Sequence, residues 1–143
     1  MSETQGVVGY GTQILIGDGA SPEAFTAIPE PKDITGPQLT QEFAEFTHQQ
    51  SPGHFREYKP TFKVSGDVSF KCNYLPNDSI MQRLEGDYAN QTLRNFKETF
   101  PTSPLETYAF HAYVSRFEIS SPMAGPLEVN ITLHITGPVT MTP

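Results

Sequence analysis

The sequence predicts a mainly β fold, a β-sandwich or partly open barrel with one flanking α-helix. Two long segments alternate between apolar and polar residues, which is typical of strands with one buried and one wetted face. Only one segment, residues 76–88, has the apolar spacing of a helix. Thirteen prolines and eleven glycines among 143 residues favour many turns over long helices. We expect one domain over residues 1–143.

The first part of the chain predicts short strands separated by turns. Residues 7–16 begin with glycines and end in an apolar run, and the turn sequence Gly17-Asp18-Gly19 follows. Residues 25–28 indicate a short edge strand or an extended segment, because the prolines after them cannot donate hydrogen bonds to a central ladder. Residues 38–47 hold β-compatible residues among polar ones, although their alternation is imperfect.

Residues 61–74 and 127–136 are the two clearly alternating strands. A slip of one residue in their pairing would expose a whole apolar set, so their register is strongly specified. The apolar phase of the first holds Phe62, Val64, Gly66, Val68, Phe70, Cys72 and Tyr74. The apolar phase of the second holds Leu127, Val129, Ile131, Leu133 and Ile135.

The remaining elements are a helix and two further strands. Residues 76–88 predict a helix capped by Asn77 or Asp78, with a stripe formed by Ile80, Met81, Leu84 and Tyr88. Residues 93–100 form a strand that ends at a proline. Residues 107–119 have apolar residues on both phases, which predicts a strand covered on both sides. Gly137-Pro138 is expected to close the last strand and leave a short tail, residues 139–143.

Charge and cysteine content exclude several classes of protein. The net charge of −7 argues against a conventional nucleic-acid binder, but not against a protein past which DNA must slide. A single cysteine, Cys72, excludes a fold held by internal disulfides and indicates a reducing compartment. Neither a signal peptide nor a membrane-spanning segment is visible, so we expect no membrane partner.

No catalytic or metal-binding pattern is present, and we expect no catalytic residue, cofactor or metal. The four histidines lack the spacing of a zinc site, and ordinary surface or interface histidines are the common case. No nucleophile elbow and no phosphate-binding glycine loop occur. Cys72 lies on the apolar phase of a strand, where a thiol is usually a small buried hydrophobe.

A long loop over residues 48–60 is the best candidate for a contact surface. A loop of that length is uncommon in a small domain and is usually functional. Exposed aromatic residues together with arginine are typical of interface anchors, and we prefer this to a solvated, mobile loop. The predicted interface residues are His48, Ser51, Pro52, Gly53, His54, Phe55, Arg56, Glu57 and Tyr58.

The order of these segments resembles the major tail tube proteins of lambda-like bacteriophages with long non-contractile tails. The likeness spans residues 6–139, and its specificity lies in the order of its motifs. In sequence they are Ile34-Thr35-Gly36-Pro37, Ser51-Pro52-Gly53 with Arg56-Glu57, Gly66-Asp67-Val68-Ser69-Phe70, Asn73-Tyr74-Leu75-Pro76, Phe100-Pro101, Ala112-Tyr113-Val114-Ser115-Arg116-Phe117-Glu118 and Thr136-Gly137.

The resemblance implies a structural subunit, not an enzyme. Six copies would form a ring, each lending four strands to one inner β-barrel, and rings would stack through the long loop and the terminal arms. The stack would be a conduit for genome delivery in the virion tail, assembled in the host cytoplasm with tape measure, tail terminator and tail-tip proteins. Larger members carry an added immunoglobulin-like domain, which we do not expect here.

The polar phases of the long strands are then candidates to face the lumen. A barrel shared by many subunits is too wide for side chains to fill, and DNA would pass without specific binding. The alternative is that these residues face bulk water on a monomer, and residue patterns alone do not separate the two. The predicted lumen residues are Lys63, Asp67, Lys71, Asn73, Glu128, Asn130, Thr132 and His134.

Two other functions stay open. One is a related ring-forming component, such as a tail terminator or a tube of a secretion or contractile system. The other is a monomeric β-sandwich that binds carbohydrate or protein.

Overall fold

The computed structural model describes residues 9–101 and 106–142, and it confirms a mainly β fold with one α-helix. A short 3-10 turn, Pro52–His54, lies between the fourth and fifth strands. The elements in chain order are β1 Gln13–Gly17, β2 Phe25–Ala27, β3 Pro31–Thr35, β4 Thr40–Glu45, β5 Tyr58–Val64, β6 Asp67–Asn73, α1 Ser79–Asn90, β7 Arg94–Phe100, β8 Glu106–Ser120 and β9 Glu128–Thr142.

Two antiparallel sheets make up the fold. The large sheet has seven strands in the order β2-β1-β7-β8-β9-β6-β3, and β4 and β5 form a separate two-stranded sheet. Of the predicted first strand, β1 covers only the end, and its residues 7 and 8 lie outside the described part of the chain. Strand β3 was not predicted, because Pro31 looked like the end of a strand; it instead begins one at the sheet edge, where a missing donor is tolerated.

Side chains from both ends of the large sheet meet in one hydrophobic core. Ile14 and Ile16 of β1 and Val68 of β6 are fully buried in the same cluster, although several strands separate them in the sheet. Strands β2 and β3 lie at opposite edges of this sheet but are joined by residues 28–30 alone, so the sheet curls around its core as a partly open barrel, into which helix α1 packs. The buried apolar residues are Ile14, Ile16, Ile28, Val68, Phe70, Cys72, Ile80, Met81, Leu84, Phe96, Phe110, Ala112, Val114, Val129, Ile131, Leu133 and Ile135.

The predicted single strand over residues 61–74 is wrong, because the chain breaks it at Gly66. Gly66 has φ 72, and a side chain there would begin 2.5 Å from the carbonyl oxygen of Gln38, so only glycine fits without strain. Beyond the break β6 buries its apolar phase as predicted. Before the break, in β5, Phe62 and Val64 are exposed.

The two sheets are joined as one long, bent ribbon. Strand β3 pairs with β6 up to Thr35 and Ser69, and the pairing of β4 with β5 resumes at Thr40 and Val64 in nearly the same register. Gly36, with φ 109, lies at the bend on the first strand and Gly66 on the second. The β4–β5 hairpin thus continues the large sheet but extends beyond the hydrophobic core.

The prediction that β8 is covered on both sides is also wrong. Phe110, Ala112 and Val114 are buried on one phase, and a bulge at Ser115 then shifts the pairing with β9. After the bulge Phe117, on the other phase, packs against the same core. The bulge inserts one extra residue into β8, so the apolar positions shift from one alternating set to the other. All of them still face the same core.

Strand β9 does not end at residue 136 as expected. Gly137 adopts φ 82 and accommodates an irregularity, after which Thr140 and Thr142 pair with Ala109 and Thr107 of β8. Beyond His134 strand β9 no longer pairs with β6, so Pro138 lies at an edge where its missing donor is tolerated, and pairing with β8 continues the strand. Within residues 9–101 and 106–142 no helix has the length and apolar character needed to cross a membrane.

Helix α1 spans Ser79–Asn90 instead of residues 76–88. Of its two predicted caps Asp78 is the one used, and its carboxylate accepts hydrogen bonds from the amides of Ile80 and Met81 at 2.9 and 3.3 Å. Its last turn differs from the prediction, since Tyr88 is exposed and Asp87 is buried instead. Asp87 accepts two hydrogen bonds from the Arg94 guanidinium, at 2.9 and 2.6 Å, and this bonding raises the pKa of Arg94. The pair ties the helix end to the start of β7.

Candidate functional site

The β4–β5 hairpin has no buried side chain in either strand. It nevertheless carries a concentration of large apolar residues, which in an unpartnered element would face water. A two-stranded hairpin is at best marginally stable alone. The exposed large apolar residues of this segment are Leu39, Phe43, Phe46, Phe55, Tyr58, Phe62 and Val64.

Both faces of the hairpin are apolar. Phe43 pairs with Pro60 across the hairpin. Tyr58 lies two residues from Pro60 on the same strand, so its side chain is on the same face as Phe43. Phe46 lies on the opposite face, where the Lys59 ammonium is 5.4 Å from its ring centroid. Phe43, Phe46 and Tyr58 remain 61%, 53% and 54% exposed. One covering surface would therefore leave half of the hairpin's apolar residues in water.

Sequence reasoning placed the contact surface in the loop and missed the stem residues Phe43 and Phe46. Their spacing was the available signal. Two aromatic residues three positions apart in a strand point to opposite faces, so one packed core cannot take both. Strand β5 begins at Tyr58, so the end of the predicted loop belongs to this stem as well.

The tip of the hairpin is held by its own hydrogen bonds. The Ser51 hydroxyl donates to the Glu57 carboxylate at 2.6 Å and accepts from the His48 amide at 3.0 Å. His48 Nε2 lies 3.3 Å from Glu57 Oε2, and the Glu57 amide donates to Thr47. Phe55 is 75% exposed on this frame. Of the predicted interface residues, Ser51, His48 and Glu57 build the tip, whereas Phe55 is presented outward.

The predicted lumen residues, apart from Lys63, lie together on the outward face of β6 and β9 in the large sheet. Direct cross-strand pairs bring Asp67 beside His134 and Lys71 beside Asn130, while Lys63 belongs to hairpin strand β5. The pairings on this face are polar and local. They join Asp67 to His134 at 2.7 Å, Lys32 to Glu128 at 2.9 Å, Asn73 to Glu30 at 3.2 Å and Asn130 to Glu118 at 3.4 Å.

Charges on this outward face are mixed in sign. Each carboxylate has a hydrogen-bond partner on the same face, so no continuous acidic or basic strip forms. The carboxylates slightly outnumber the basic groups. The face holds Glu30, Asp67, Glu118 and Glu128 against Lys32, Lys71 and Arg116.

Residues that carry chemistry are scattered. In the described part of the chain, no group of three or more His, Cys, Asp or Glu residues is placed to hold a metal ion. Cys72 is buried as expected, and burial raises the pKa of its thiol to about 11. Among the described residues, Glu98 is buried like Asp87, and sequence reasoning missed both, although Glu98 shares the inward phase of β7 with Phe96.

Solved structures with a similar fold are components of phage tails and injection systems. The SPP1 tail tube aligns with a TM-score of 0.72 at 17% identity, covering 95% of this chain and 78% of that chain. The tail of an empty GTA particle gives 0.68 at 14%, covering 91% and 96%. A sheath/tube terminator of the PVC extracellular contractile injection system gives 0.71 at 13%, covering 99% and 100%. At these identities the likeness shows the fold.

Family membership comes from the sequence itself. No curated protein matches this chain. The family model of the lambda phage tail tube protein matches residues 11–142, which confirms the resemblance seen in the motif order. Because this match spans nearly the whole chain, the protein belongs to the lambda phage tail tube protein family.

Proposed function

We propose that this chain is the structural subunit of a phage tail tube, and that it assembles with itself into hexameric rings stacked as a hollow conduit. The observation that carries the proposal is the β4–β5 hairpin, which is apolar on both faces and has no buried side chain. Such an element needs partners on two sides, and stacked rings of identical subunits supply them. Sixfold order is supported by the GTA tail, which was refined with C6 symmetry.

The polar outward face of β6 and β9 is the proposed lumen wall, without Lys63, which we assign to the hairpin. DNA carries one negative charge per ~1.7 Å of duplex axis, so a basic wall would hold it through many phosphate contacts. A wall of mixed sign, with its carboxylates paired locally, gives DNA no strip of positive charge to bind. Such a wall lets the genome pass without specific recognition.

The partners of this subunit follow from its place in a tail. A tube of defined length needs a tape measure protein, a terminator at one end and tail-tip proteins at the other. The subunit would assemble in the host cytoplasm and end in the virion.

Electron microscopy of the concentrated protein tests the proposal. Long tubes are the expected result. Single rings that do not grow would instead indicate a tail terminator, a function consistent with the fold shared with the PVC terminator. A chain that stays monomeric even with tape measure and tail-tip partners present would refute both and favour a ligand-binding β-sandwich.

The hairpin tip is tested with the double variant Phe55→Ala, Arg56→Ala. We expect a folded monomer that forms no tubes, because the substitution removes the outward aromatic anchor and leaves the hydrogen bonds of the tip intact. Phe55→Tyr, which keeps the ring, is the matched control and should assemble. Tubes from the double variant would show that the tip is not the stacking element.

The lumen assignment is tested with Asp67→Lys, Glu128→Lys in phage particles. These particles should assemble tails but eject DNA slowly or not at all, because the wall gains positive charge. Glu85→Lys, on the exposed face of α1, changes charge in the same direction away from the wall and should eject normally. Normal ejection from the double variant would contradict this lumen face.

A further inference from the structure

His134 is an exposed histidine on the outward face of β6 and β9. Its neighbours across the sheet are Asp67 on β6 and Tyr113 on β8. The imidazole is 64% exposed, while Leu133 and Ile135 on either side of it are buried in the core. A charge gained by this side chain therefore appears on the outward face and leaves the core unchanged.

The contact with Asp67 determines which nitrogen of His134 takes up a proton. His134 Nδ1 lies 2.7 Å from Asp67 Oδ1, which is a hydrogen-bond distance. A carboxylate only accepts hydrogen bonds, so the neutral imidazole carries its hydrogen on Nδ1 and donates it to Asp67. Nε2 then holds the free lone pair, and no described residue hydrogen-bonds to it. Protonation adds a hydrogen at Nε2 and keeps the bond to Asp67.

Few charges surround His134, so a single proton changes the balance of this face. Strand β6 presents Asp67, and β8 presents Tyr113 opposite His134 and Arg116 opposite position 132. The neighbours on β9 itself, at positions 132 and 136, are threonines. With His134 neutral, the face holds four carboxylates and three basic side chains, which leaves one net negative charge per copy. Protonation of His134 cancels that charge.

Histidine is the residue type whose charge ordinarily changes between pH 5 and pH 8. The chain has four histidines, and three of them lie elsewhere. His48 and His54 belong to the hairpin tip. His111 is partly buried, with Nε2 3.0 Å from the position that a Cβ on Gly137 would take, so its imidazole lies against the backbone of β9. His134 is thus the histidine that this face exposes.

We propose that protonation of His134 makes the passage of DNA through the tube depend on pH. This inference rests on the proposed tube function and on the assignment of this face to the lumen. Protonated Nε2 directs a charged hydrogen-bond donor at the phosphates, and contacts of this kind hold DNA through the release of its counterions. In a hexameric ring the same change occurs in every copy around the duplex. DNA therefore passes freely at pH 8 and more slowly at pH 5.

The ejection rate of phage particles tests the proposal through two variants that each fix one charge state. His134→Asn stays neutral, and its amide nitrogen replaces Nδ1 as the donor to Asp67. His134→Lys stays positive throughout this pH range. Ejection is triggered with host envelope at pH 5 and at pH 8, and it is followed by the fluorescence of a dye that binds released DNA.

At pH 8 the unmodified particles should eject as fast as His134→Asn and faster than His134→Lys. Dividing the unmodified rate by the His134→Asn rate at each pH cancels the pH dependence of triggering and of all other titrating groups. This ratio should be close to one at pH 8 and well below one at pH 5. The loss should shrink in high salt, because the Debye length falls from about 8 Å at 0.15 M to about 3 Å at 1 M.

Asn90→His, at an exposed position on α1, adds a titrating histidine away from the wall and should eject like the unmodified protein at both pH values. An equal ratio at pH 5 and pH 8 would overturn the inference, and this comparison decides even where His134→Lys does not assemble. Normal ejection by assembled His134→Lys particles would refute the lumen assignment together with the inference. If the unmodified subunit forms no tube in electron micrographs, the proposed function itself fails.

Discussion

Glu98 should make the stability of the unassembled chain depend on pH. The side chain is 1% exposed on β7, between Ile14 of β1 and Tyr108 of β8, and its Oε1 atom has no hydrogen-bond partner. Burial in these surroundings raises the pKa of the carboxyl from 4.5 to about 7. The folded protein therefore keeps Glu98 protonated at pH values at which the unfolded chain ionises it.

The direction and size of the pH effect on stability follow from the difference in pKa between the folded and unfolded states. Below pH 4.5 the carboxyl is protonated in both states and contributes no pH dependence. As pH rises from about 4.5 to about 7, the unfolded state loses a proton that the folded state retains, so the free energy of unfolding falls. The full loss above pH 7 is about 3 kcal/mol at 1.36 kcal/mol per pKa unit.

Urea unfolding of the dilute monomer at pH 4 and pH 8 measures this effect. Glu98→Met keeps a similar length and removes the ionisable group. The quantity compared is the free energy of unfolding of the variant minus that of the unmodified protein. This difference should be about 3 kcal/mol larger at pH 8 than at pH 4, with an unchanged m value. Glu85→Gln, at an exposed position of α1, should show no such difference.

Subtracting the free energies of unfolding of the two proteins at each pH cancels the contributions of all other titrating groups. If that difference is the same at pH 4 and pH 8, then Glu98 ionises in the folded state at little cost. The conclusion that burial, with Oε1 unpartnered, disfavours the ionised carboxylate would then be wrong.

Four further substitutions test the fold by urea unfolding. Asp87→Ala should destabilise by about 3–5 kcal/mol, because it leaves the mostly buried Arg94 guanidinium without its bidentate partner; a loss under about 1 kcal/mol would contradict this. Gly66→Ala should destabilise, because the residue has φ 72 and its new methyl would collide with backbone, whereas Gly86→Ala, in open space on α1, should stabilise by about 0.5–1 kcal/mol; equal effects would refute the steric argument. Asp78→Ala should cost about 1 kcal/mol through the lost helix cap, and unchanged stability would show that the cap is not needed.

Much of the fold could be predicted from local patterns. The alternation in residues 127–136 predicted the inward set of β9, and the same pattern beyond Gly66 predicted that of β6. The sequence narrowed the cap of α1 to Asn77 or Asp78, since a short polar side chain before an apolar run supplies the missing hydrogen-bond acceptor, and the structure uses Asp78. These features depend on residues close in sequence. The motif order likewise identified the family that the model over residues 11–142 confirms.

By itself, then, the sequence determined most of the strand segments, the apolar faces of β6 and β9, the capped start of the helix, and the family to which the chain belongs. Only the tertiary structure decided where the hydrogen-bonded pairing between neighbouring strands shifts register, continues or ends. The bulge at Ser115, the continuation of β9 past Gly137 and the break at Gly66 depend on what the partner strand does at a distant position. It also decided that Phe43 and Phe46 have no core to enter, because burial requires a neighbouring surface, and the hairpin extends beyond every surface that this chain provides in its described part.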